Sequence, residues 1–204
     1  MREFFIKGGP VMWPLLICSI LSLAITIERA RFWWRVNRRK DGNMLDSIFE
    51  QVEQGDHQGA IARGGEIKGI EGRVLMAGLV NHDHGLKESM EAEAVEQIER
   101  MNMGMNILDT IITMAPLLGI LGTVLGIIES FDLLSLSGIQ DPKAVIGGIS
   151  QALITTASGL TVALATLIPF NYYSVRVGRA TRRLEKTGTR LELAYLKGLA
   201  SRAA

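Results

Sequence analysis

No charged residue occurs between Ala144 and Val175, yet this stretch carries Gln151, Thr155, Thr156 and Ser158. In helical phase Gly148, Gln151, Thr155, Ser158, Val162 and Thr166 form one stripe, which Thr156 and Gly159 widen to one side. A single Thr in an apolar helix bonds back to its own backbone and implies little. Gln151 is different, because its amide cannot be satisfied by its own helix, and an unpartnered polar group in hydrocarbon is costly. The stripe must therefore meet protein or water. A second constellation lies upstream, where Gly119, Gly122 and Gly126 fall within an arc of about 60° on a helix. Such small-residue surfaces let apolar helices approach closely. Pro116 and Thr123 lie beside that arc, and two readings of Thr123 stay open: a hydroxyl bonded back within a packing motif, or one lining a polar seam.

Equally informative are the groups that are missing. No Asp, Glu, His, Lys or Arg lies within residues 11–27, 110–128 or 144–175, although Asp109 and Glu129 bracket the second run. A proton relay needs a group that exchanges protons. If ions cross beside these hydroxyls, the exchanging carboxylate must come from another chain, while the hydroxyls hold water or partly dehydrated ions. No nucleophile–base pair, Gly-rich phosphate loop or metal-ligand cluster is visible, so no enzymatic chemistry and no cofactor is expected. His82 and His84 form a His-x-His pair without further ligands and read as part of a polar turn over 81–85. A net charge of +1 gives no nucleic-acid footprint, and the single cysteine, Cys18, excludes an intrachain disulfide and reads as packing.

The elements that position these groups follow from hydropathy. Apolar residues make up 48% of the chain but collect in three blocks rather than at core periodicity, as in a polytopic membrane protein. Each block reaches the roughly 17 residues a bilayer span requires. The first could pass for a cleavable signal, with Arg2 and Lys7 ahead of it and the triplet Ser22-Leu23-Ala24 inside it. It continues through Ile25 and Ile27 into Arg29, Arg31, Arg35, Arg38, Arg39 and Lys40, a cluster that resists translocation, so it is read as a retained span. The loop 131–143 carries one Lys and no Arg, whereas the tail holds Arg176, Arg179, Arg182, Arg183, Lys186 and Arg190. Positive-inside counting then predicts an all-α, three-span membrane protein. Residues 1–10 form an external segment and residues 11–29 the first span. A cytoplasmic helical region covers 30–106, followed by spans at 107–130 and 144–174, an external loop at 131–143 and a cytoplasmic helix at 175–204.

Within the cytoplasmic region, helices are expected over 44–54 and 60–79, the latter weakened by Gly64, Gly65 and Gly69. From Leu86 one long helix is expected to run straight into the second span. Its Glu88, Glu91, Glu93, Glu96 and Glu99 are expected to pair with the Arg-rich segments after the first and third spans. In the tail, Val177, Leu184, Leu191 and Leu193 mark an interaction helix prolonging the third span.

Three stretches then become recognisable: GGPVMWPLLICSILSLAITIER, APLLGILGTVLGIIESF and ISQALITTASGLTVALATLIPFN. In order and spacing the chain resembles the ExbB/TolQ/MotA proton-channel family, closest within it to ExbB and TolQ. The resemblance implies a homopentameric ring in the bacterial inner membrane, its second and third spans surrounding the transmembrane helices of an ExbD- or TolR-like partner. That single-span partner's membrane Asp would carry the proton, and a TonB- or TolA-like protein would receive the work. By motif, Thr123 and Thr156 match the pore threonines, with Gln151, Thr155 and Ser158 beside them; Pro116, Gly119, Gly122, Gly126, Gly148 and Gly159 fall to helix packing. Where ExbB and TolQ commonly have Glu, in the pattern I-x-E-A-L-I-x-T-A, this chain has Gln151. Two alternatives stay open: a TolQ-like, adhesin or gliding motor, and a scaffold that conducts nothing. Proton and sodium are both open as the driving ion.

Overall fold

The computed structural model describes residues 8–37, 42–65, 67, 69–137 and 142–203, and every regular element among them is an α-helix. These are α1 (Met12–Asn37), α2 (Gly42–Glu53), α3 (His57–Gly64), α4 (Ile70–Val80), α5 (His82–Asn102), α6 (Met105–Ser137) and α7 (Pro142–Ala203). The chain divides into two compact units. Met1–Glu28 with Gly104–Tyr173 forms the first, and Arg29–Met103 with Ser174–Ala204 the second.

The first unit has a small apolar core of Val11, Met12, Leu15, Ile111, Ala115 and Ala163, against which Cys18 packs. Elsewhere its helices turn large apolar side chains outward, among them Leu117, Leu153, Leu164 and Ile168. Surfaces of that kind suit lipid or other membrane helices, not water. Among the described residues, two stretches, His82–Asp132 and Ile146–Ser201, contain runs long and apolar enough to cross a membrane. α6 runs on to Ser137, into the segment read as the external loop, and residues 138–141 of that loop lie outside the described residues. Ser22, which belonged to a small-x-small triplet in the sequence, is buried and shares a 2.7 Å hydrogen bond with the Thr166 hydroxyl.

In the second unit, glycines decide where helices stop. Gly55 adopts φ +78° and ends α2, and Asp56 then caps α3 by accepting a 2.9 Å bond from the Gly59 amide. The single helix expected over 60–79 is instead two, because Gly69 is extended (φ −72°, ψ 160°) ahead of α4. Residues 82–85, expected as a turn, already belong to α5, with Gly85 as its one non-helical residue at φ 125°.

The expected continuity from Leu86 into the second span does not hold. α5 ends at Asn102, Met103 is extended (φ −52°, ψ 127°), and Gly104 is left-handed at φ +77°. The Arg29 guanidinium explains why the break is stable. It is 1% exposed and donates to the carbonyls of Arg100 (2.9 Å) and Met101 (3.2 Å), acceptors that a further helical turn would have occupied.

Charge pairing also departs from expectation. The tail's ion pairs include Arg190–Asp46 at 2.7 Å and Lys197–Glu53 at 3.3 Å, both directed to α2. On the acid-rich α5, Glu96 pairs with Arg100 one turn away and Glu93 accepts from Gln97 at 2.6 Å. Of the tail residues singled out by sequence, Val177, Leu184 and Leu191 are buried and Leu193 is exposed. The first three are spaced by seven and share one helical face, whereas Leu193 sits roughly 200° away.

Candidate functional site

The polar stripe of α7 and the glycine surface of α6 meet in the first unit. A Cβ at Gly159 would collide with the Ala115 carbonyl, one at Gly122 with the Thr155 side chain, and one at Gly148 with Ser130. At Gly126 it would lie 2.9 Å from the Gly148 carbonyl, and at Gly119 it would lie 3.0 Å from the Thr156 Cα. These glycines bring the two backbones into contact, which exposes carbonyl oxygens of one helix to hydroxyls of the other. Pro116 lies within α6, one residue after Ala115, whose carbonyl faces Gly159.

The hydroxyls are not equivalent. Thr123 Oγ1 donates to the Ile120 carbonyl (2.6 Å) and Ser158 Oγ to the Ile154 carbonyl (2.8 Å), each within its own helix. Thr156 Oγ1 instead crosses the seam and donates to the Gly119 carbonyl at 2.8 Å. Thr155 is fully buried; its Oγ1 lies 2.6 Å from the carbonyl of Gly8 and 2.9 Å from that of Gln151 in its own helix. Thr123, Gln151, Thr156 and Ser158 are half-buried. The hydroxyl partners thus divide: those of Thr155 and Thr166 lie in the segment around α1, while that of Thr156 lies in α6, against which the rest of the Thr155 side chain also packs at Gly122.

Gln151 Nε2 lies 3.4 Å from Glu129 Oε2. This long contact links the uncharged amide to a carboxylate at the end of the second apolar run. Sequence reading named both residues but not their pairing, which depends on how the two helices are staggered. The partners of Thr155 and Thr166, the Gly8 carbonyl and Ser22, were likewise missed. Gly8, with Gly9 at φ +73°, was the available signal, since a left-handed turn just before α1 brings a carbonyl to the start of that helix. No group of three or more His, Cys, Asp or Glu suited to a metal occurs among the described residues. His82 packs in a ring cluster with His57 and Tyr195, its ring centroid 5.4 Å from that of His57.

Chemically, the seam offers hydroxyls, backbone carbonyls and one amide, all able to hold water or an ion, and the proton-exchanging carboxylate of Glu129 stands at one end of it, beside Gln151. Against known proteins, residues 66–186 match the model of the MotA/TolQ/ExbB proton channel family. The chain is 38% identical to biopolymer transport protein ExbB-like 1 of Synechocystis sp., over 94% of its own length and 77% of that protein. It is 28% identical to the biopolymer transport protein exbB1 of Vibrio cholerae (94% and 86% covered). It is also 28% identical to the Tol-Pal system protein TolQ of Haemophilus influenzae (86% and 84% covered).

Proposed function

The chain belongs to the MotA/TolQ/ExbB proton channel family, and we propose that it is an ExbB-like channel subunit of an inner-membrane motor. In this reading it spans the membrane three times, with a periplasmic N-terminus and a cytoplasmic tail, and five copies form a ring. An ExbD-like partner inside the ring supplies a membrane Asp, and a TonB-like protein carries the work toward the outer membrane. The observation that carries the reading is the Thr156–Gly119 hydrogen bond in a glycine-lined seam, within two apolar runs that hold no Asp, Glu, His, Lys or Arg. Glu129 stands only at one end of this wall, beside Gln151, so along the rest of it a proton passes alongside a carboxylate brought by another chain. At about 100 mV each transferred charge supplies roughly 2.3 kcal/mol, so several transfers per work stroke are needed.

Thr123, Gln151 and Ser158, half-buried in one chain, complete the pore wall in this proposal, and Thr155 braces it from behind. A TolQ-like role is the second reading, supported by the equal 28% identity to the exbB1 and TolQ relatives. The decisive measurement is proton uptake into liposomes. The chain alone is expected to conduct nothing, and flux is expected when the partner is co-reconstituted and lost when its membrane Asp becomes Asn. Flux from the chain alone, or flux indifferent to that Asp, overturns the shared pore. Exchange of sodium for potassium at fixed voltage is expected to leave the flux unchanged.

A further inference from the structure

The second unit contains a cavity of about 500 Å³ bounded by the end of α1, the segment before α4, and α7. Its wall includes Arg176, Arg179 and Arg183 opposite a single described carboxylate, Glu71. The arginines fall at i, i+3 and i+7, one face of α7, so three like charges are held together at one opening. Among the described residues, Arg179 and Arg183 make no ion pair. Trp33 forms the apolar side. It is 7% exposed, the Arg176 guanidinium lies 5.8 Å from its ring centroid, and its indole Nε1 has no hydrogen-bond acceptor among the described residues.

We propose that this cavity binds the phosphate of an anionic lipid headgroup. The volume suits a glycerophosphate-sized group and not a bare ion. All three cations are arginines, whose planar forks match phosphate oxygens two at a time. Position favours a lipid as the source of the phosphate. Arg176 is the first charge after the apolar run 144–175, and Trp33 lies six residues past the apolar run 11–27. Under the membrane placement proposed above, on which this inference rests, both lie at headgroup depth, where indoles and arginines meet anionic lipid.

The test uses the full chain in vesicles of phosphatidylcholine, with or without phosphatidylglycerol, followed by native mass spectrometry of the lipid retained after extraction. Flotation with phosphatidylcholine vesicles reports membrane insertion by itself; only the difference between the two lipids reports the cavity. Wild type is expected to retain phosphatidylglycerol preferentially. Arg179→Gln with Arg183→Gln is expected to weaken that preference roughly thirtyfold, about fivefold for each basic side chain. Arg182→Gln with Lys186→Gln removes the same charge from α7 outside the cavity wall and is expected to leave the preference intact. Glu71→Gln removes the opposing carboxylate and is expected to strengthen retention, an outcome misfolding cannot imitate. Equal retention of both lipids by wild type, or equal losses in the two double variants, overturns the proposal. Thermal stabilisation by inorganic phosphate or glycerol 3-phosphate as strong as that by the lipid overturns the lipid as source.

Discussion

Thr156 donates its hydroxyl across the helix seam to the carbonyl of Gly119 at 2.8 Å, while its neighbour Thr155 turns the other way to the carbonyl of Gly8 at 2.6 Å. Adjacent side chains on a helix point about 100° apart, which lets the two hydroxyls reach different acceptors even though both side chains touch α6, Thr155 at Gly122 and Thr156 at Gly119. Thr156→Ala is therefore expected to assemble normally and to lower partner-dependent proton flux at least tenfold, about 1.4 kcal/mol in the barrier. Thr155→Ala is expected to leave the Gly8 carbonyl short of a donor and to cost about 1–3 kcal/mol of stability. Flux per assembled complex should be retained in the second variant, and thermal unfolding in detergent measured beside liposome flux separates the two. Wild-type flux in Thr156→Ala removes it from the pore.

Close packing at the seam gives a second contrast. Gly159→Ala places a methyl group against the Ala115 carbonyl, a backbone atom that cannot step aside, and is expected to cost about 1–3 kcal/mol. Gly147 lies on the same helix with nothing within 4 Å of its would-be Cβ. Gly147→Ala should be neutral or stabilising by about 0.5–1 kcal/mol through helix propensity alone. Equal unfolding temperatures for the two variants would show that the helices do not touch at Gly159.

Gln151 and Glu129 are open to a charge swap. Gln151→Glu sets two carboxylates across the 3.4 Å contact and is expected to destabilise at neutral pH. Adding Glu129→Gln restores an amide–carboxylate pair in reversed order and should recover stability. A double-mutant cycle is expected to give a coupling above about 0.5 kcal/mol, and additive effects would mean that the pair does not interact.

Arg29 closes the end of α5. Arg29→Met keeps the apolar stem but removes both donors, leaving the Arg100 and Met101 carbonyls short of partners, and should destabilise by about 2–4 kcal/mol. Hydrogen exchange should rise most in the last turn of α5 and the first of α6. An increase spread evenly over the chain would contradict a local capping role.

Sequence alone determined the helical class, the apolar runs, the glycine-bearing face of one and the polar face of another, because each is written in periodicity and in the cost of burying polar groups. The family motifs were legible for the same reason: close helix approach and polar groups in a membrane both demand particular small or hydroxylated residues at fixed intervals. Tertiary structure decided the partners. Which way each hydroxyl points, that Glu129 comes within reach of Gln151, and that Ser22 meets Thr166 depend on helix stagger, which no local pattern encodes. Composition likewise suggested a continuous helix through Gly104, but a buried arginine 75 residues earlier in the chain ended it. A helix stops where its last carbonyls find better donors than its own next turn, and those donors can be supplied from anywhere in the fold.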